Sequence, residues 1–411
     1  MSHPAINPTE IAMPPEPGGL LRALKPMASV AGPLIGLALV LLIFGLWNPA
    51  DFLSVHALRN VSRSSYTIAI AAVGATFVVI SGGIDLSVGS TMALSCVACA
   101  MALRGQQLPP ADMTQTIAVA AAGGLLTALA VAGKRLSSGA ALLSAASRAL
   151  LWAAACGAVL GLGWHLAAGH TVPPLNPWLA VLVGIAAGAT VGAVNATLVT
   201  VVSLPPFVAT LATLGAVRGL AEYMTNGVPV EAGTGPSVEL ARAGFASLRH
   251  LHYGTVLGLP PNAWIAIGIV LAGIPLLHMT VLGRYTFAIG SNPRTARLCG
   301  VRVERWKAVC YILAGSTAGL AGALATAKYG AGPPTEFTGV ELTVIAAVVL
   351  GGTSLFGGEG MMLGTALGVL MLGFLQSGCN IALISSFMQR IFIGGTIVLA
   401  AALDRFRHMR Q

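Results

Sequence analysis

Gly283–Lys307 reads GRYTFAIGSNPRTARLCGVRVERWK, and where this stretch lies decides how the rest of the chain is folded. It carries Arg284, Arg294, Arg297, Arg302, Arg305 and Lys307 against a single acid, Glu304, and apolar runs long enough to span a bilayer flank it. By the positive-inside rule such a segment belongs in the cytoplasm. A short helix is written inside it. Asn292 or Ser291 can cap its start, Pro293 suits the first helical position, and Gly300 sits just past its end. A helix of about two turns is marginal alone in water. It needs a docking partner, and the chain offers no evident soluble domain to provide one.

Working outward, hydrophobic residues make up 56% of the 411 and charged residues 9%, with a mean hydropathy of +0.84. A soluble domain carries about 25% charged residues, so the chain reads as an all-α polytopic membrane protein. Its 51 glycines fit close helix contact, because small residues let backbones approach in lipid. The formal charge of +9 raises nucleic acid as a partner, but the basic residues sit at the ends of apolar spans. Positive-inside sorting accounts for them without one.

A spanning helix needs about 20 mainly apolar residues. That criterion places spans near 31–48, 64–82, 86–103, 116–133, 141–168, 178–203, 207–225, 263–279, 308–328, 340–353, 361–379 and 386–404. Twelve crossings put both termini on one side. The charges agree: Arg22 and Lys25 precede the first span, Lys134 and Arg135 fall on the same side, and Arg405, Arg407 and Arg410 follow the last. Residues 1–30, with Pro4, Pro8, Pro14, Pro15 and Pro17, read as a disordered cytoplasmic tail, and 405–411 as a second, short one. The loop 226–262 falls outside and has no basic excess, so His250 and His252 read as solvated loop residues.

Few residues carry chemistry. Asp85 follows Gly82 and Gly83 in SGGIDLSVGS, just ahead of a helix expected to begin near Leu86. Two readings stand for it: a carboxylate accepting from the amides of that first turn, or a group in a substrate path. Such a break in a helix at membrane depth is tolerated only where it is buried in protein or lines a cavity. Arg218 and Glu222, four apart on one helix, read either as a pair along its face or as a substrate contact. Cys96 and Cys99 form one C-x-x-C on an apolar helix with no second pair, which reads as small residues at a packing face before it reads as metal or redox chemistry. The chain has no G-x-x-x-x-G-K-[ST] phosphate loop, no H-E-x-x-H and no G-x-S-x-G. Its histidines His56, His165, His170 and His278 are scattered, against a membrane enzyme. A secondary transporter driven by protons or sodium would carry more acids in mid-span.

Four stretches taken together resemble the ribose-type permease family, the membrane subunits of bacterial ABC importers. They are SGGIDLSVGS (81–90), PPFVATLATLGAVRGLAEYMTNGVPV (205–230), AIGSNPRTARLCGV (288–301) and ELTVIAAVVLGGTSLFGGEGMMLGTALGVLMLGFLQSGCN (341–380). The resemblance implies a ten-span core in residues 31–404, used as two copies, in a bacterial inner membrane. It also implies an ATPase subunit holding ATP and magnesium on the cytoplasmic side and a periplasmic sugar-binding protein, with no cofactor on this chain. Residues 284–307 become the coupling segment that meets the ATPase, through Gly290, Asn292, Pro293, Arg294, Arg297 and Gly300. Two departures stand out: Pro293 and Thr295 replace frequent alanines, and 110–176 would add a pair of spans absent from the shortest members. A sugar path calls for neutral hydrogen-bonding groups. Asn195, Thr210, Thr213, Gln376 and Asn380 qualify, with Phe207 as a stacking or gating ring, beside the Gly82, Gly83, Asp85 and Ser87 motif. Each also reads as a polar residue in helix packing. An importer subunit for branched-chain amino acids, nucleosides or autoinducers is the nearest alternative to one for a pentose, hexose or related polyol.

Overall fold

The computed structural model describes residues 19–52, 54–107, 171–172, 174–233, 238–385, 387–389, 391–396 and 398. The expected spans near 116–133 and 141–168 and the tail 405–411 lie outside the described residues, as do residues 1–18. The expected span 386–404 falls only partly within them and is helical at 387–389 and 391–396.

The elements follow the hydropathy closely. In order they are α1 (Gly19–Trp47), α2 (Pro49–Phe52), α3 (Val55–Ile80), α4 (Val88–Arg104), β1 (Gln106–Gln107), β2 (Thr171–Val172), α5 (Pro177–Thr200), α6 (Pro206–Thr225) and α7 (Val238–Tyr253). Then come α8 (Pro261–His278), α9 (Val281–Ser291), α10 (Pro293–Leu298), α11 (Val303–Tyr329), α12 (Val340–Leu350) and α13 (Met362–Ile381). The two short strands pair antiparallel, Gln106 with Val172, and the described fold is otherwise helical. Among the described residues α3, α5, α8, α11 and α13 are long and apolar enough to cross a membrane, and Ala31–Trp47, α4 and α12 are shorter apolar helices. The first helix starts at Gly19, so the stretch expected to be a tail to residue 30 is helical over its second part.

Helix α11 is the axis of the bundle and packs on α5, α3 and α4. Glycine makes the α5–α11 contact possible. Gly184, Gly188 and Gly192 recur every fourth residue and so share one face of α5, against Gly315 and Gly319 of α11. A Cβ at Gly188 would stand 2.5 Å from the Gly319 Cα, so the helix axes approach as close as backbone allows.

The run of helices is interrupted at two loops, where the chain folds back on itself. Between α3 and α4 lies SGGIDLS, and between α12 and α13 lies GGTSLFGGEGM. Several of their amides find carbonyls nearby: Gly82 N–H and Gly83 N–H donate to Val79 O and Val78 O of α3 at 2.9 and 3.0 Å, and Ser354 N–H to Glu359 O at 3.1 Å.

The 226–262 segment is not a plain loop. It contains α7, whose buried residues Ala241, Gly244, Phe245, Leu248 and His252 form one helical stripe. His252 is therefore a correction to the solvated reading, while His250 is exposed. The His252 ring lies 5.9 Å from Tyr66 of α3 and 4.8 Å from Tyr253. Burial, then Lys328 of α11 and Arg63 of α3, push His252 down from 6.5 to about 4. Between those values the folded chain binds fewer protons than the unfolded one, so stability is full above pH 6.5 and declines as pH falls toward 4. His252→Gln should flatten the acid limb of a pH series of thermal unfolding in detergent. An unchanged acid slope would contradict this placement.

Candidate functional site

A thread of buried polar side chains joins the first interruption to two helices. Asp85 Oδ1 accepts from the Ser87 amide at 2.9 Å and from the Ser87 hydroxyl at 2.7 Å. Asn195 of α5 donates through Nδ2 to Ser87 Oγ at 2.8 Å, and Thr213 of α6 donates to Asn195 Oδ1 at 2.7 Å. Thr210, one turn earlier on α6, reaches Ile84 O at 3.2 Å and Pro206 O at 2.9 Å. All five of these side chains belong to buried residues. The helix after the break starts at Val88, with Ser87 at its cap position, two residues later than the sequence suggests. Asp85 therefore braces Ser87 instead of accepting from first-turn amides.

The other expected path residues divide. Gly82 takes a left-handed φ of 75°, which turns the chain out of α3. Gly83 faces Tyr311 of α11, where a Cβ would stand 2.5 Å from the phenol oxygen. Phe207 lies on α6 three residues before Thr210 and is half exposed. Gln376 and Asn380 are exposed on α13, apart from the thread, and Asn380 accepts from Gln389 at 2.8 Å. Arg218 does not form a hydrogen-bonded pair with Glu222. Its guanidinium donates to the backbone carbonyls of Pro334, at 3.0 Å, and Glu336, with Glu341 and Glu222 near enough to act through space. Cys96 and Cys99 are buried in helix packing, and Cys96 meets Thr326 Oγ1 at 3.4 Å.

Tyr311 is the residue that sequence reasoning passed over. It is fully buried, and its hydroxyl has no hydrogen-bond partner among the described residues. A phenol in the middle of KAVCYILAGS was the available signal, since a buried Tyr O–H ordinarily finds an acceptor.

The basic segment forms a separate foot. Asn292 closes α9 and opens α10, its Oδ1 accepting from the Arg294 and Thr295 amides at 3.0 and 3.1 Å. Pro293 occupies the first turn, and Gly300 has a left-handed φ of 83°. The inner face of α10 packs on the chain itself. Ile289, Ala296, Val301 and Val303 form a small apolar cluster, with Tyr285 against Trp306 at 5.1 Å. Arg294 and Arg297 point outward, Arg297 pairs with Glu304, and Leu298 is 89% exposed. Beside them Arg297, Gly300, Val301, Arg302, Glu304 and Arg305 line an open concavity of about 600 Å³.

A helical membrane body with a braced polar break and a protruding basic foot defines an integral-membrane transport subunit. The family described as branched-chain amino acid transport system, permease component, matches residues 57–146 and 132–401, and the chain belongs to it. It is similar to the ribose import permease protein RbsC of Escherichia coli (strain K12), 33% identical over 371 residues, which cover 90% of this chain and 92% of the relative. The D-allose transport system permease protein AlsC of the same organism is 28% identical over 371 residues, 90% of this chain and 89% of its own. The probable ABC transporter permease protein YphD, also from that organism, is 32% identical over 369 residues, 90% and 87% of the two chains. No solved structure matches the chain. The chain thus belongs with the ribose-type permeases, which are transport components and not enzymes.

Asn195 is the middle of the thread, and a buried donor or acceptor left without a partner costs about 1–3 kcal/mol. Asn195→Leu and Thr213→Val should each lower the thermal midpoint in detergent. The double variant should fall short of their sum, because the two share one bond. Strict additivity would show that the thread does not tie α5 to α6.

Proposed function

We propose that the chain is the membrane-spanning subunit of an ATP-driven importer for a sugar, ribose or a related pentose, hexose or polyol. The observation that carries this reading is the 33% identity to a ribose import permease over 90% of the chain. The thread is in keeping with it, because Ser, Asn and Thr side chains offer neutral donors and acceptors in an apolar body, which suits a hydroxyl-rich solute. The family description names branched-chain amino acids. The sugar reading is preferred because relatives named for ribose and for D-allose match this chain over nearly their whole length.

In this reading the body crosses a bacterial inner membrane twelve times, a ten-span core with the extra pair in 110–176, and both termini are cytoplasmic. An ABC ATPase subunit, with its own ATP and magnesium, docks on residues 292–300 through Asn292, Pro293, Arg294 and Arg297. A periplasmic sugar-binding protein delivers solute to the opposite face. A second copy completes the path, which on this chain runs past Gly82, Gly83, Asp85, Ser87, Asn195, Phe207, Thr210 and Thr213. Gln376 and Asn380 stand too far from that cluster to share it, and are proposed only as candidates on α13.

Reconstitution into proteoliposomes with the cognate ATPase and binding protein tests the reading, using labelled D-ribose, D-allose and leucine. ATP-dependent sugar uptake is expected. Arg297→Glu should reduce it about tenfold, the scale of ~1.4 kcal/mol of lost coupling, with the protein still in the membrane. Leucine uptake in place of sugar, or uptake that persists without ATP hydrolysis, would overturn it.

A further inference from the structure

The foot and the polar break meet at one point. Gly358, in the second interruption, donates its amide to Ile80 O, the last carbonyl of α3, at 2.8 Å. Gly290, near the end of α9, lies against both. A Cβ there would overlap the Ile80 carbonyl and the Gly358 amide and stand 3.0 Å from the Gly358 Cα. The same closeness holds around the junction: a Cβ on Gly357 would be 2.9 Å from Gly82 Cα, and one on Gly358 would be 2.8 Å from the Ser291 nitrogen. Three segments distant in sequence therefore touch backbone to backbone, with the Ser291 hydroxyl beside Gly358 as the nearest side chain.

We propose that Gly290 is a positioning residue, and that this junction is the transmission through which the foot moves the polar break. The inference rests on the importer reading of the foot. Resemblance alone gives Gly290 a place on the ATPase-docking surface. Its position gives it another task, because Gly290 is half buried and faces the body of the protein. The route is short and stiff. Asn292 caps α10 and closes α9, so a push on α10 arrives at Gly290 without passing through a flexible loop. From Gly290 it passes to Ile80, and Asp85 follows five residues along the chain. Side-chain contacts can absorb a displacement by changing rotamer. Backbone contacts cannot, so motion of the foot shifts the Asp85–Ser87 end of the thread against Asn195 and Thr213. Packed elements of this kind move between discrete arrangements.

Hydrogen exchange on the purified chain in detergent tests the contact itself. In the wild-type chain the Gly358 amide should be among the slowest to exchange in 351–361, and rapid exchange there would overturn the junction whatever the variants do. Gly290→Ala should speed exchange at Gly358 and across 82–87 by about tenfold. Gly268→Ala is the control, because a Cβ on Gly268 meets nothing within 4 Å. Unchanged exchange at 82–87 in Gly290→Ala would refute the transmission.

The full complex in proteoliposomes tests the coupling. Gly290→Ala should lower ATP-driven D-ribose uptake about tenfold while ATP hydrolysis continues, so that ATP consumed per ribose rises. A merely structural role would lower uptake and hydrolysis together, and that outcome, or an unchanged ratio, would overturn the proposal. Failure of the wild-type complex to take up any solute with ATP would count against the importer reading, and the exchange result would then judge the junction alone.

Discussion

A peptide amide at membrane depth has to find its partner inside the protein, and this constraint shapes the whole body. Continuous helices meet it along their length. The interruptions at 81–87 and 351–361 cannot, and they meet it in part by leaning on one another, Gly358 N–H on Ile80 O. The pairing demands glycine, because any side chain at 290, 357 or 358 would occupy the space where another backbone lies. Breaks that expose polar backbone are thereby confined to one region. That region is also where α9 delivers the basic foot.

The same economy of space holds the bundle together. In lipid there is little hydrophobic gain from joining two helices, so close packing and internal hydrogen bonds decide association. The glycine face of α5 on α11 supplies the first, and the Asp85–Ser87–Asn195–Thr213 thread supplies the second. The thread is oriented, since each donor points toward the carboxylate. It ties α6 to the break through α5, and so makes the polar interior respond to movement of the break.

Much of this was legible in the sequence because it rests on local rules. Six basic residues against a single acid marked the foot, Asn292, Pro293 and Gly300 marked its short helix, and long apolar runs marked the spans. Asn195, Thr210 and Thr213 were readable as polar residues in apolar helices, but nothing local told that they gather around the 81–87 loop while Gln376 and Asn380 do not. That difference lies in which helices pack together. His252 was misread because the stripe from Ala241 to His252 is broken by Arg242, Arg249 and His250 on its other face, and the segment looked like a mixed loop. Arg218 was assigned to its neighbour in sequence, whereas the carbonyls of Pro334 and Glu336 come from another part of the chain. The junction at Gly290 joins residues far apart in sequence, so no spacing rule could expose it.

Spin-label distances in the reconstituted complex reach the central claim most directly. Pairs of labels at Leu298→Cys with Phe356→Cys, and at Leu298→Cys with Leu211→Cys, sit at exposed positions, in a background with exposed Cys299 replaced by serine. When nucleotide is trapped on the ATPase, the 298–356 distance should hold and the 298–211 distance should change, because foot and second interruption travel as one body against α6. A 298–356 distance that shifts as far as 298–211 would contradict the account.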